Sequence, residues 1–371
     1  MGLLRVLLAL AVLFEHAGGL PIIRGGGYAM IGGPLAVQCF FIVSGFYMGL
    51  VLNERYDRPA LNGAFWANRA IRIYSIYFLF LALYLGVFAL AQVQSGTSPL
   101  WPYLTDRIPW HEKAGLALLN LTVIGQELPY WLDISGGHLV LTAAPGAHGA
   151  SDVFHFLAIP VAWSLSLELC FYALAPFIAR RPVRQIAALA GLSLVLRAGF
   201  ALAGYDSDPW SYRFFPFELA LFLAGVLSYR AWAAKRERWS GAGARLLALA
   251  VPVAVLGYPF VAGEAASVSF FSPVRLAMLG LLATALPAIH GWSRLSRTDR
   301  TIGELSYPVY LGHLLVLGMI GGMSPLAGSP TVRTIGVALV SLALAWVVMR
   351  FVDTRIEAVR RRLALRAGVT A

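Results

Sequence analysis

Two histidines, His16 and His313, stand in stretches that are otherwise apolar. Burying an ionisable side chain in hydrocarbon is costly, so such residues are functional candidates by default. His16 follows Arg5 by eleven residues. On a helix that interval is about 16 Å of rise and close to three whole turns, so the two side chains share a face at different depths. An imidazole so placed can take a proton from an attacking hydroxyl as a general base. It can equally be a buried histidine hydrogen-bonded to a neighbouring helix, and the residues alone leave both readings open. Glu15 faces about 100° away and is not expected to share the site.

Arg69 and Arg72 form a second feature, at the mouth of an apolar stretch. Their i, i+3 spacing puts both guanidiniums on one helix face, and the planar fork suits phosphate. Taken alone, the pair reads more simply as topology anchors or lipid-phosphate contacts. The run Trp163-Ser164-Leu165-Ser166-Leu167-Glu168 places a carboxylate a few residues into another apolar stretch. Glu168 could orient His16 as a carboxylate orients a catalytic imidazole, or form an interhelical ion pair, for instance with Arg197. Ser44-Gly45 offers a small surface for close helix packing, and Ser306 to His313 opens a late apolar stretch with Pro308 and Tyr310. His111, His138, His148 and His155 match no metal-ligand spacing and read as loop residues, so no metal site is expected.

The elements that must hold these residues are membrane helices. Apolar residues make up 59% of the 371, charged residues only 13%, and mean hydropathy is +0.72; a soluble domain carries about 25% charged residues. Apolar stretches of about twenty residues suit a hydrocarbon core ~30 Å thick. They fall at 3–20, 32–52, 72–92, 156–178, 185–203, 213–230, 246–262, 272–290, 302–322 and 332–352. The expected fold is therefore all-α, a polytopic integral membrane bundle of about ten transmembrane helices. The first stretch lacks a convincing cleavage site and reads as a retained helix. With both termini cytoplasmic, every arginine cluster between spans falls inside, so the net charge of +11 reflects topology and not nucleic-acid binding. Residues 114–132 would make an eleventh span, but they contain Asn120, Gln126 and Glu127 and would invert the arginine pattern. Residues 93–155 are accordingly expected on the outer side, with 114–132 at the interface or dipping partway in. Cys39 and Cys170 fall in apolar stretches and suggest neither a disulfide framework nor zinc.

In order along the chain, these features resemble the acyltransferase family 3 proteins, membrane enzymes that acylate surface glycans and similar acceptors. Arg5 with His16 is similar to the family's first-helix arginine–histidine signature, and Gly33 to Phe46 to its second-helix segment. Arg69 and Arg72 resemble its Arg-x-x-Arg pair, and Trp163 to Tyr172 its Trp-Ser-Leu-x-x-Glu-x-x-Phe-Tyr motif. Phe217 to Gly225 and Ser306 to His313 resemble later motifs. The resemblance implies one acyltransferase domain over 1–371, with acyl-CoA, as acetyl-CoA, a donor substrate and no permanently bound cofactor. Arg69 and Arg72, with Arg5, would hold the donor phosphates. His16 would activate an acceptor hydroxyl, as base or as transient acyl carrier, with Glu168 in support. Ser44, Trp163, Ser166, Tyr310 and His313 would give substrate or structural support. The implied acceptor is a glycan or lipid-linked sugar, and the run Leu50 to Trp66 resembles members near exopolysaccharide pathways. The arginine-loop pattern and the lack of a disulfide framework fit a bacterial inner membrane. Some relatives carry an appended esterase-like domain, which is not expected here. A polytopic transporter or glycan flippase is the alternative, although no inverted repeat is evident; a structural scaffold is a third.

Overall fold

A computed structural model describes all residues except 24–25, 97, 144–152, 263–268, 322–328 and 370–371. Among the described residues, eight helices are long and apolar enough to cross a membrane. They are α2 (Gly33–Glu54), α3 (Asn62–Ser95), α6 (Trp163–Ile178), α7 (Val183–Leu202), α8 (Phe215–Ala234), α9 (Ala242–Ala262), α10 (Pro273–Ser293) and α13 (Pro330–Val348). The apolar helices α1 (Gly2–His16) and α12 (Ser306–Gly321) are shorter. Together these occupy all ten expected positions, and the fold is an all-α polytopic membrane bundle. A π turn at Met349–Asp353 joins α13 to the arginine-rich α14 (Thr354–Arg366). This rod of 37 residues is about 55 Å long, far more than a bilayer core needs, so its charged end lies beyond the hydrocarbon.

The chain forms two compact units, Met1–Ile73 with Phe171–Ala371, and Tyr74–Cys170. In the first, small residues set the packing of α2 on α8. A Cβ at Gly45 would run into the Phe222 carbonyl, and one at Gly225 into that of Ile42. Backbones that approach this closely exchange dispersion contacts along their length, the main attraction between helices in lipid. Ala9 and Leu13 of α1, Val309 and Val316 of α12, and Val337 and Ala338 of α13 form a shared core. A short hairpin, β1 (Leu20–Ile23) with β2 (Gly26–Tyr28), connects α1 to α2.

The second unit contains α4 (Trp101–Leu104), α5 (Trp110–Thr122) and the hairpin β3 (Leu132–Ser135) with β4 (His138–Leu141). At 13 residues, α5 is about 20 Å long, too short for a span. It stops where Val123 takes φ +65°, a strained left-handed conformation for a β-branched residue. Two of the polar residues that argued against an eleventh span, Asn120 and Gln126, find partners inside this unit. Asn120 donates to the carbonyl oxygens of Phe156 (2.9 Å) and Leu116 (3.1 Å) and accepts from the Ala158 amide (2.8 Å). Gln126 donates to the Tyr77 hydroxyl (2.8 Å).

Candidate functional site

The candidate site begins at the end of α1. Gly18 and Gly19 take φ of +90° and +69°, the left-handed conformations that end helices, and the chain turns away just beyond His16. Three neighbours pin this turn. The Glu15 carboxylate accepts from the Gly33 amide at the start of α2. On α13, Arg333 Nε donates to the Ala17 carbonyl (3.1 Å) and Thr334 Oγ1 to that of Gly19 (2.9 Å). The third neighbour is His313, fully buried on α12, whose Nε2 lies 3.2 Å from His16 Nδ1. The ring centroids are 5.1 Å apart, with planes tilted by 45°.

The hydrogen bonds assign the tautomers. His313 Nδ1 lies 2.8 Å from the Tyr310 carbonyl oxygen and 3.2 Å from that of Val309. Carbonyl oxygens only accept, so in the neutral ring the proton sits on Nδ1 and Nε2 is an acceptor. His16 Nδ1 must then carry a proton, which it directs at His313 Nε2 and at the Val12 carbonyl oxygen 2.9 Å away. The lone pair of His16 therefore resides on Nε2. His16 is exposed, and Nε2 makes no hydrogen bond among the described residues. This is the arrangement a general base requires, with one nitrogen held and the other open. The sequence singles out both histidines, but nothing in their spacing marks the contact between them.

The other end of α1 is rich in charge. Asp299, on α11 (Arg297–Glu304), accepts from the Met1 ammonium (2.6 Å) and from the amides of Gly2 (2.7 Å) and Leu3 (2.9 Å), so it caps the helix. Burial works to raise the Asp299 carboxyl, but these hydrogen bonds outweigh it and hold the group below its ordinary range. Arg72 pairs with Glu304 at 3.3 Å. Burial also works to raise Glu304, and the surrounding Arg72, Arg5, Arg360 and Arg300 outweigh it and hold the carboxyl low. Arg69 donates to Asn68 Oδ1 (3.1 Å). Arg5, Arg69 and Arg72, the proposed phosphate-binding residues, thus lie in one electropositive neighbourhood. Arg5 and His16 occupy opposite ends of a single unbroken helix.

Of the remaining candidates, Ser44 and Tyr310 are buried on α2 and α12, and Tyr310 lies edge-on to Phe40 at 6.2 Å. Trp163, Ser166 and Glu168 lie on the part of α6 that belongs to the second unit. Trp163 and Ser166 are buried and Glu168 is half-buried. Ser166 Oγ accepts from the Gly125 amide at 2.8 Å, in the turn that follows Val123, which gives Ser166 a structural task. Arg197 does not select Glu168 as its carboxylate: it pairs with Glu218 at 2.5 Å. Glu218 also accepts from Gln38 Nε2 (3.0 Å), while Gln38 Oε1 accepts from Arg275 Nε (3.0 Å). This fully buried network, anchored within the Phe217 to Gly225 segment, ties α2, α7, α8 and α10 together, and spacing gave no sign of it. His138 bonds Glu112 at 2.9 Å. His111 lies 6.0 Å from the Trp110 ring and His155 4.1 Å from that of Phe154, while His148 lies outside the described residues.

The model of one protein family, described as an acyltransferase domain, matches residues 1–350. No curated protein and no solved structure matches the chain. The family match runs through all ten apolar helices and takes in both ends of α1 with their partners on α11 and α12, and the chain accordingly belongs to acyltransferase family 3.

Proposed function

We propose that this membrane acyltransferase moves an acyl group, acetyl in the simplest case, from acyl-CoA to a hydroxyl of a glycan or glycolipid. The observation that carries the reading is the open Nε2 of His16, whose opposite nitrogen is held by His313 and Val12. Acyl-CoA binds with its phosphates at the arginine-rich end of α1, where Arg69 and Arg72 provide forked donors and Arg5 adds charge. The thioester arm extends along α1 toward His16, about 16 Å away.

At His16 the acceptor hydroxyl gives its proton to Nε2 as its oxygen attacks the thioester carbonyl. The tetrahedral intermediate then expels the CoA thiolate, which recovers the proton from the imidazolium, leaving an ester and free CoA. A trapped acyl-histidine would overturn the base role in favour of covalent catalysis. Glu168 is assigned a supporting role, which a fully active Glu168→Gln enzyme would contradict. Since basic residues favour the cytoplasmic side, the arginine-rich end faces the cytoplasm and His16 lies toward the acceptor side of a bacterial inner membrane. Residues 93–155 then supply a surface for acceptor choice.

The test is transfer of label from radiolabelled acetyl-CoA to surface glycan in membranes holding wild type, His16→Ala or Arg69→Ala/Arg72→Ala protein at matched levels. Wild type should transfer, and loss of the base should cost about 10²–10⁴-fold. The double arginine variant should raise the donor concentration needed for half-maximal rate. Transfer undiminished in His16→Ala would remove the proposed base while leaving the family assignment in place.

A further inference from the structure

The arginines of α14 are exposed at positions 355, 361, 362 and 366, as expected of topology anchors, but Arg360 is only 8% exposed. It lies beyond the segment that the family model matches. A guanidinium is buried at a cost unless charge or hydrogen bonds compensate. Part of the compensation is clear. Arg360 Nη1 donates to Glu357 at 2.6 Å, while Nε and Nη2 donate to Asn68 Oδ1 at 3.2 and 2.9 Å.

The partners are an uneven match for the charge. Asn68 Oδ1 is a neutral acceptor that also receives Arg69, so two guanidiniums converge on one amide oxygen. Glu357 is shared with Arg361. Glu304 pairs with Arg72 and also faces Arg5, Arg300 and Arg360. Asp353 also acts on Arg360. Six arginines (5, 69, 72, 300, 360 and 361) thus gather around three carboxylates (304, 353 and 357). Burial first, and then the like charges of Arg72 and Arg69, hold the Arg360 guanidinium down at about 10. A cluster of like charge in a half-buried setting is relieved when an anion enters it.

We propose that Arg360 is a third guanidinium of the donor-phosphate site, so that α14 forms one wall of it and a bound polyphosphate draws α14 and α3 together. This rests on the donor site proposed above. The guanidinium already holds Asn68, and so Arg69, in position, and two of its five N–H groups remain for phosphate oxygens.

The experiment is CoA binding to the full-length protein in detergent, by calorimetry at two salt concentrations, for wild type, Arg360→Gln, Arg361→Gln and Arg69→Gln/Arg72→Gln. Arg361→Gln removes an equal charge from the exposed side of the same helix. Arg360→Gln should weaken CoA binding by about tenfold or more, the scale of a hydrogen bond to a charged group, and should flatten its salt dependence; Arg361→Gln should leave both within about twofold. Repeating the titration with 3′-dephospho-CoA separates the phosphates: a loss confined to CoA assigns Arg360 to the 3′-phosphate, and a loss with both ligands assigns it to the diphosphate. CoA affinity unchanged in Arg360→Gln, or reduced equally in Arg361→Gln, would overturn the inference even if Arg69 and Arg72 prove essential. Absence of CoA binding by folded wild type would instead overturn the donor site itself. Should Arg360→Gln not fold, Arg360→Lys keeps the charge but loses the fork, and is read against the same outcomes.

Discussion

At the scale of single residues, the consequential object is one proton on His16 Nδ1. If it stays there because His313 Nε2 and the Val12 carbonyl receive it, the acceptor at position 313 should matter without touching substrate. His313→Leu is expected to lower kcat by about 10²-fold, within the range of general-base contributions, with little change in KM for either substrate. His313→Gln should recover part of the loss, because its amide oxygen can accept where Nε2 did. The pH profile of kcat should shift in the leucine variant, since the proton-accepting imidazole has lost its partner. Equal activity in wild type and leucine variant would make His313 a packing residue. The sequence made His16, Arg5, Arg69 and Arg72 legible because each pair lies within a few turns of one helix. The His16–His313 contact spans 297 residues of chain, and no periodicity records a contact of that separation. Arg360 was hidden for a different reason, since a buried arginine and an exposed topology anchor are spelled alike.

The elements show what hydropathy does and does not reveal. Ten apolar stretches became helices because a backbone in lipid must satisfy its own hydrogen bonds. The two short hairpins and the end of α5 at Val123 depend on packing and turns, which hydropathy does not see. Asp299 is another such case: it lies in a short polar helix and caps α1 from nearly 300 residues away. Its carboxyl is held below the ordinary range, so its contribution to stability is full above that range and is lost as pH falls through the lowered native value. Burial meanwhile holds the Met1 ammonium below the usual amine range despite the neighbouring carboxylate, which leaves Asp299 as the favourable partner on the acid side. Thermal unfolding in detergent should therefore move to lower temperature on acidification below about pH 4, and by less in Asp299→Asn, which should already be less stable at neutral pH. Parallel acid profiles for the two proteins would assign the capping bond no measurable share.

For the whole molecule, the membrane assignment is firm in composition, helix length and family, and orientation is the part that arginine placement alone supplies. With the arginine-rich ends inside, a cysteine at Ser207, between α7 and α8, should react with an impermeant maleimide added to intact cells. One at Ser240, between α8 and α9, should react only after permeabilisation. The reverse pattern would turn the bundle over and separate His16 from an outer acceptor. Native Cys39 is fully buried and Cys170 half-buried, which keeps the background low.

Helix α1 has a consequence for the logistics of the proposed reaction. It is a continuous rod with the proposed phosphate-binding end and the proposed base at opposite ends, so it sets how far each half of the donor travels in that reaction. The phosphorylated half, several negative charges that a bilayer would exclude, can stay in water throughout. Only the uncharged fragment is handed across, and no ion gradient need be spent to export an activated sugar modifier. Lengthening α1 by one turn while preserving both end faces would test the span as a measuring stick.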